Sequence, residues 1–422
     1  MDAEGDGARR DRARLFWMEA ALGLFAFAVS PVIQMTDSNY SMLTAESLLY
    51  HHTFDLNSYK IPNFRPALPF DTIEGHNAYQ LQVTNGHKVL YFFPLGTPIL
   101  SLPAVALLNV LGIRAGPDGR YYPFGEIMIE KLLAAFLMAV LACVFFRTAS
   151  RGMWSHTWEI LLGGIVACML LSSEENGAPL RPVVLATLLS WMFFVRPTGA
   201  VPIFFVTLYV VFFHRRAFAA YALTGALWLA LFIWIWVRTY GTPLPAYFAP
   251  ERNTLSVRWI GLASNLISPS RGLFVYVPAI AFVFYLTARY WRAIPHRRLA
   301  VTCLAIIGAL TFVFATFPTW WAGQCYGSRF FTDAIPWFFL LAVLACAAIP
   351  EDRRTIGSNP ALAVGAVLLV LSVAINGRGA LSWATHDWNG IRPVRTRIFD
   401  WSQPQFLAGW VRAHPDGELS KW

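Results

Sequence analysis

Long apolar runs, each close to the length that crosses a bilayer, divide this chain, and short basic clusters separate them. Clear runs fall at about 15–33, 124–146, 157–172, 217–237, 272–290, 299–317, 331–349 and 360–376. Two further stretches carry mixed signals. Residues 91–113 are long enough to cross, but Pro94, Pro98 and Pro103 interrupt them, so a broken or re-entrant element packed against protein competes with a full crossing. Residues 180–213 are too long for one straight helix and contain Arg196-Pro197, which gives either one kinked crossing or two short ones. The pattern predicts an all-α polytopic membrane protein with about nine to eleven transmembrane helices. No internal repeat is evident, which counts against a transporter built from inverted halves.

Directly after the first run comes TDSNYSMLTAESLLYHHTFDL, residues 36–56. Its spacing predicts an amphipathic helix lying at the interface: Thr44, Ser47 and His51 share a face with Tyr40, and Met42, Ala45 and Leu49 share another. Asp37 sits where the first run should leave the bilayer. It is read either as an acid that deprotonates or orients a hydroxyl, or, with Thr36, as a cap for the helix that follows. Partial desolvation at a membrane surface would strengthen a carboxylate's proton affinity. Glu46, nine residues on, is out of phase with Asp37 on a straight helix and is a second acid or a solvated residue.

Composition and charge then fix the class. Hydrophobic residues make up 56% of the chain and charged residues 14%, against roughly 25% charged in soluble domains. The net charge of +9 comes from clusters between apolar runs, which is the positive-inside pattern and not a nucleic-acid footprint, so no nucleic-acid partner is expected. Arg9, Arg10, Arg12 and Arg14 place residues 1–14 in the cytoplasm; the first run reads either as a cleaved signal peptide or as an uncleaved anchor, and the polytopic chain that follows, which needs that span, favours the anchor. His214-Arg215-Arg216, His296-Arg297-Arg298 and Arg353-Arg354 mark the same side. The loops 34–90, 238–271 and 318–330 and the tail 377–422 then lie outside, around a membrane domain spanning 15–376. That loading of the outer face places the work there. Four of the five cysteines lie within apolar runs and Cys325 has no loop partner, so neither a disulfide framework nor a zinc site is expected.

Further candidates sit at the outer ends of runs. In TWWAGQCYGSRFFTDAIP, residues 319–336, Arg329 offers a planar guanidinium suited to a phosphate, with Tyr326 nearby. Trp320 and Trp321 fit an interfacial aromatic belt and also a surface on which a sugar stacks. Arg271, in SPSRGLFVYVP, is a second phosphate contact or a side chain reaching lipid headgroups. Lys88 is a phosphate contact or an interfacial lysine. Arg196, if deep, needs a partner or a wet cavity, because central placement costs about 2.5–3.5 kcal/mol. His51, His52, His76 and His87 fall in the first loop with Asp37, Asp55, Asp71 and Glu74, but their spacing matches no metal motif. No protein-built metal site is predicted, and a divalent cation is the one cofactor left open.

With these residues in view, the chain resembles the GT-C superfamily of integral membrane glycosyltransferases, in particular bacterial members of the mannosyl- and aminoarabinose-transferase types. Asp37 in TDSNYSMLTAESLL stands where that family carries an acid, in the first outer loop close after the first span. YFFPLGTPILSLP at 91–103, FVRPTG at 194–199, SPSRGLFVYVP at 268–278, WWAGQCYGSRFFTDAIP at 320–336 and FDWSQPQFLAG at 399–409 add to the likeness, which covers most of the chain. The resemblance implies a multi-pass enzyme of the cytoplasmic membrane with its active site on the outer, periplasmic face. It would move a sugar from a polyprenyl-phosphate carrier to a lipid or cell-envelope glycan acceptor, with inversion, among membrane lipids. Asp37 would be the catalytic acid, with Glu46 the weaker candidate. Arg329, Arg271 and Lys88 would hold the donor phosphate, and Tyr40, Trp320, Trp321 and Tyr326 would line the substrate. The chain departs from the family pattern at 147–156, where a span is missing, and it lacks a large soluble outer domain. Two other readings remain: a transporter or flippase of a lipid-linked saccharide, and a catalytically inactive envelope scaffold.

Overall fold

The computed structural model describes residues 37–61, 80–84, 87–144, 155–249, 258–390 and 397–410. The first apolar run, the basic residues before it and the segment 147–154 lie outside these. The protein is nearly all-α. It forms two compact units of interleaved chain: Met1–Leu162, Pro182–Gly199 and Ala219–Ala249 in the first, and Gly163–Arg181, Ala200–Phe218 and Pro250–Trp422 in the second.

In the first unit, α1 (Ser41–His51) begins after Tyr40, whose φ of 72° is left-handed. Thr36 lies outside the described residues, and the N-cap residue, Tyr40, makes no side-chain capping bond. Glu126 supplies that function from a distant helix: its Oε1 accepts the Met42 N–H at 2.8 Å. The helix presents no solvated face in its first two turns. Ser41 through Ser47 are all buried, because the face that looked solvated finds partners inside. Thr44 Oγ1 donates to Tyr40 O at 2.7 Å and Ser47 Oγ to Asp55 O at 2.6 Å. Only the last turn, with Tyr50 and His51, is exposed.

A short antiparallel hairpin, β1 (Leu81–Val83) with β2 (Val89–Tyr91), follows in the same loop, a departure from the all-α expectation. Asn57 pins it, donating to His87 O at 3.1 Å and accepting the Val89 N–H at 2.8 Å. Helix α2 (Gly96–Val110) packs on α1 and carries Pro103 in its interior. Its 15 residues reach about 22 Å, short of the ~30 Å hydrocarbon core. The apolar residues of α1, the hairpin, α2 and α3 (Pro123–Val144) form one core.

Helix α4 (Ser155–Asn176) is followed by α5 (Pro182–Val195) and α6 (Ala200–Phe213), which the Arg196-Pro197-Thr198-Gly199 break separates. The 180–213 stretch is therefore two short helices of 14 residues each. Within the first unit, Phe194 of α5 stacks on Phe232 of α7 (Arg215–Tyr240), with centroids 3.9 Å apart and planes 6° apart. Arg196 has the partner its cost demands: its Nε lies 3.0 Å from Glu159 Oε2, and its Nη1 donates to Ser155 Oγ at 2.7 Å.

In the second unit, α8 (Trp259–Ile267), α6 and α12 (Ile335–Ala347) pack on α11 (Arg297–Thr316). The 272–290 run is broken into α9 (Leu273–Tyr276) and α10 (Ala279–Arg289), because Pro278 pushes Val277 out of helical conformation. Helix α13 (Pro360–Leu381) runs past the predicted end at 376, and α14 (Trp383–Asp387) follows. Among the described residues, five helices are long and apolar enough to cross a membrane: Ser155–Asn176, Arg215–Tyr240, Arg297–Thr316, Arg329–Ala347 and Pro360–Leu381. They are consistent with a multi-pass membrane protein.

The buried Arg196–Glu159 pair predicts an asymmetric response. Glu159→Ala strands a buried cation and should cost about 3–5 kcal/mol in an unfolding titration, whereas Glu159→Ala combined with Arg196→Met should recover most of that loss.

Candidate functional site

The turn carrying Asp37 is tied down at three points in the first unit. Tyr91 Oη donates to the Asp37 carbonyl at 2.6 Å, Ser38 Oγ donates to Glu130 Oε2 at 3.1 Å, and Met42 N–H donates to Glu126 Oε1 at 2.8 Å. Glu126 and Glu130 stand one turn apart on α3 and are both buried. The positive end of α1 faces the Glu126 carboxylate. The result is a rigid turn on which Asp37 itself stays partly exposed.

Tyr40 is not a substrate-lining residue in this arrangement. Its side chain is buried, and its ring packs on Tyr121 at 4.7 Å. Burial and then the neighbouring Glu126 push its phenol up to about 12. Glu46 is not solvated. It is 1% exposed, and its two carboxylate oxygens accept the Ala115 and Gly116 N–H groups at 2.6 and 2.8 Å. Burial raises its pKa from the ordinary 4.5, against the lowering effect of those two hydrogen bonds. Gly116 permits the close approach: a Cβ there would lie 2.4 Å from the Tyr59 ring. Glu46 is thus a brace between α1 and the segment after α2. Lys88, His51, His52 and His87 are exposed, and Asp55 accepts from Thr53 Oγ1 at 2.6 Å. His76, Asp71 and Glu74 lie outside the described residues.

In the second unit Arg271 is 1% exposed, so it does not reach lipid headgroups. All five of its guanidinium N–H groups are spent within the protein. They go to the carbonyls of Trp321, Ser270 and Gly323 and to the side chains of Gln405 and Asn389, at 2.6 to 3.1 Å. No donor is left for a phosphate, which corrects the expectation of a second phosphate contact. Gln405 continues the clamp: its Nε2 donates to Cys325 O at 2.8 Å, and its Oε1 accepts from Gly327 N at 3.3 Å. Gly327 has a φ of +63° and meets the Tyr276 ring, a position no larger residue fits. Together Arg271 and Gln405 set the backbone of residues 321–327, and Arg329, partly exposed, follows directly.

Trp320 belongs to the core and not to an aromatic belt. It is fully buried and packs against Gly261 of α8. Trp321 is partly exposed. Tyr326 is partly buried and donates to Ile375 O at 2.6 Å, which anchors it on α13.

The structure therefore gathers Asp37, Tyr40, Tyr91, Tyr121, Glu126 and Glu130 in the first unit. In the second it gathers Arg271, Asn389 and Gln405 around the loop that leads to Arg329. Sequence reasoning passed over Glu126 and Glu130, although two acids at i and i+4 in PFGEIMIEKLLAAF were the signal. It quoted the segment holding Gln405 without singling out that residue. No family profile matches the chain, and neither a curated protein nor a solved structure does.

Two outcomes follow from these braces. Arg271→Lys keeps the charge but loses the planar fork, and should lower stability by about 3 kcal/mol in denaturant titrations, with Gln405→Ala adding little to it in a double-mutant cycle. Glu46 titrates higher in the folded protein than the ordinary 4.5, so the fold binds the extra proton. Its contribution is complete below 4.5 and is lost as pH rises through the raised value. Thermal unfolding across about pH 4 to 8 should show a falling stability that Glu46→Gln removes, even though this variant is less stable at every pH.

Proposed function

We propose that this protein is an inverting membrane glycosyltransferase of the GT-C type, taking a sugar from a polyprenyl-phosphate carrier to a lipid or cell-envelope glycan acceptor. Its place is the cytoplasmic membrane, with the N-terminus inside and the active site on the outer face. The observation that carries the reading is the Asp37 turn: a partly exposed carboxylate on backbone held by Tyr91, Glu130 and Glu126. Such a group is oriented before its substrate arrives. Asp37 takes the proton from the acceptor hydroxyl, whose oxygen attacks the anomeric carbon. The bond from that carbon to the phosphate oxygen breaks, and the polyprenyl phosphate leaves with the bonding pair. Lys88, an exposed cation of the same unit as Asp37, stabilises the leaving phosphate, and within the second unit Arg271 shapes the loop before Arg329, a further candidate phosphate ligand.

The buried Arg196–Glu159 pair is the feature that a flippase of lipid-linked saccharide would share. It lies at helix ends: Glu159 is in the second turn of α4, and Arg196 directly follows α5. A carrier that moves charge across the bilayer needs such a pair deep in its spans, so the enzymatic reading is preferred. In membranes or nanodiscs supplied with polyprenyl-phosphate sugar, Asp37→Asn should lower transfer by about 10²–10⁴-fold with the thermal midpoint unchanged. Full transfer by that variant would remove Asp37 from the chemistry.

A further inference from the structure

The tripeptide His-Arg-Arg occurs twice, at 214–216 and 296–298. In each case its arginines open a helix long enough to cross a membrane, α7 at Arg215 and α11 at Arg297. Both histidines converge on one pair of residues in the second unit. Tyr209 Oη donates to Glu174 Oε1. His214 Nε2 lies 3.4 Å from Tyr209 Oη, and His296 Nδ1 lies 3.4 Å from Glu174 Oε2. Arg298 stacks over the Phe213 ring at 4.5 Å. The two tripeptides are therefore fixed to a common post at the packed ends of α6 and α11.

This arrangement leaves Arg215, Arg216, Arg297 and Arg298 exposed together, with Arg292 exposed beside them, its carbonyl accepting from Arg297 Nη2. Glu174 is engaged by Tyr209 and His296, and the adjacent Glu175 is the exposed acid next to it in the chain. The arginines also stand at the positive ends of two helices, where cations are disfavoured and an anion is favoured. Their neighbours Phe212, Phe218 and Val301 are exposed and apolar, at 60%, 37% and 52%.

We propose that this surface is a docking site for anionic phospholipid headgroups. The lipid phosphate sits between the two arginine pairs, and its acyl chains lie on the apolar side chains that flank them. A phosphate there offsets part of the charge of four guanidiniums and faces the positive ends of two helices, while the flanking apolar residues favour a ligand that carries chains over a soluble phosphate. The proposal rests on the membrane part of the functional reading and not on glycosyl transfer.

The test uses purified full-length protein in a neutral detergent, titrated with mixed micelles containing phosphatidylglycerol or phosphatidylcholine. Bound lipid is read by native mass spectrometry, and the thermal midpoint is followed alongside. Phosphatidylglycerol should bind and raise the midpoint, phosphatidylcholine should not, and added salt should weaken the effect. Each arginine changed to glutamine among Arg215, Arg216, Arg297 and Arg298 should weaken binding about fivefold, and the four-lysine counterpart should retain most of it. The lipid-free midpoint of each variant reports on its folding. Arg353→Gln with Arg354→Gln should change nothing, since acids at 352 and 351 already lie 4.0 and 3.8 Å from those arginines. Equal retention of the two lipids, or undiminished phosphatidylglycerol binding by the four-glutamine protein, would overturn the proposal. Displacement of the lipid by an equal concentration of glycerol phosphate would overturn the membrane source. Glycan-transfer activity enters none of these readouts, so a failed transferase assay leaves them unaffected.

Discussion

A charge removed from water must be met by donors or acceptors of its own, and this constraint organises both units. Four buried ionic groups answer it in different ways. Glu126 takes an amide from the first turn of α1, and Glu46 takes two amides from the segment after α2. Arg196 takes a carboxylate, and Arg271 takes three carbonyls and two side-chain amides. Each fixes a piece of irregular backbone that packing alone would leave undetermined, since irregular backbone lacks the ladders that satisfy helices and strands. Left half-satisfied, the same groups would destabilise the protein.

The functional reading draws on that rigidity. Tyr40 is held in a left-handed conformation, which costs a side-chain-bearing residue roughly 1–2 kcal/mol. Its buried ring against Tyr121 and the Glu126 contact at Met42 offset the strain. A turn so over-determined holds the backbone of Asp37 in one place. In the same way the loop before Arg329 is shaped by groups that touch its backbone and not its side chains.

The apolar runs were legible because length and hydropathy are local properties, and they reappear as five long helices among the described residues. The need of Arg196 for a partner was legible from its cost alone, although nothing local pointed to Glu159, 37 positions earlier. Glu126 and Glu130 were hidden by the apolar average of the run around them. Arg271 misled because three of its acceptors are carbonyls, which every residue carries and no sequence pattern marks. The apparent amphipathicity of α1 misled for a related reason: Thr44, Glu46 and Ser47 meet backbone groups inside the protein and not water. The hairpin escaped because three-residue strands leave too short a record of alternation.

The clamp on residues 321–327 also bears on the order of assembly. Arg271 lies some 50 residues before the loop, and Gln405 almost 80 after it. When a chain is made from its N-terminal end, Cys325 and Gly327 are synthesised long before the amide side chain that they share. The loop leading to Arg329 thus keeps its final shape in reserve until the last of its three strands of chain has been delivered, and a partly made protein cannot present that cation in its finished setting.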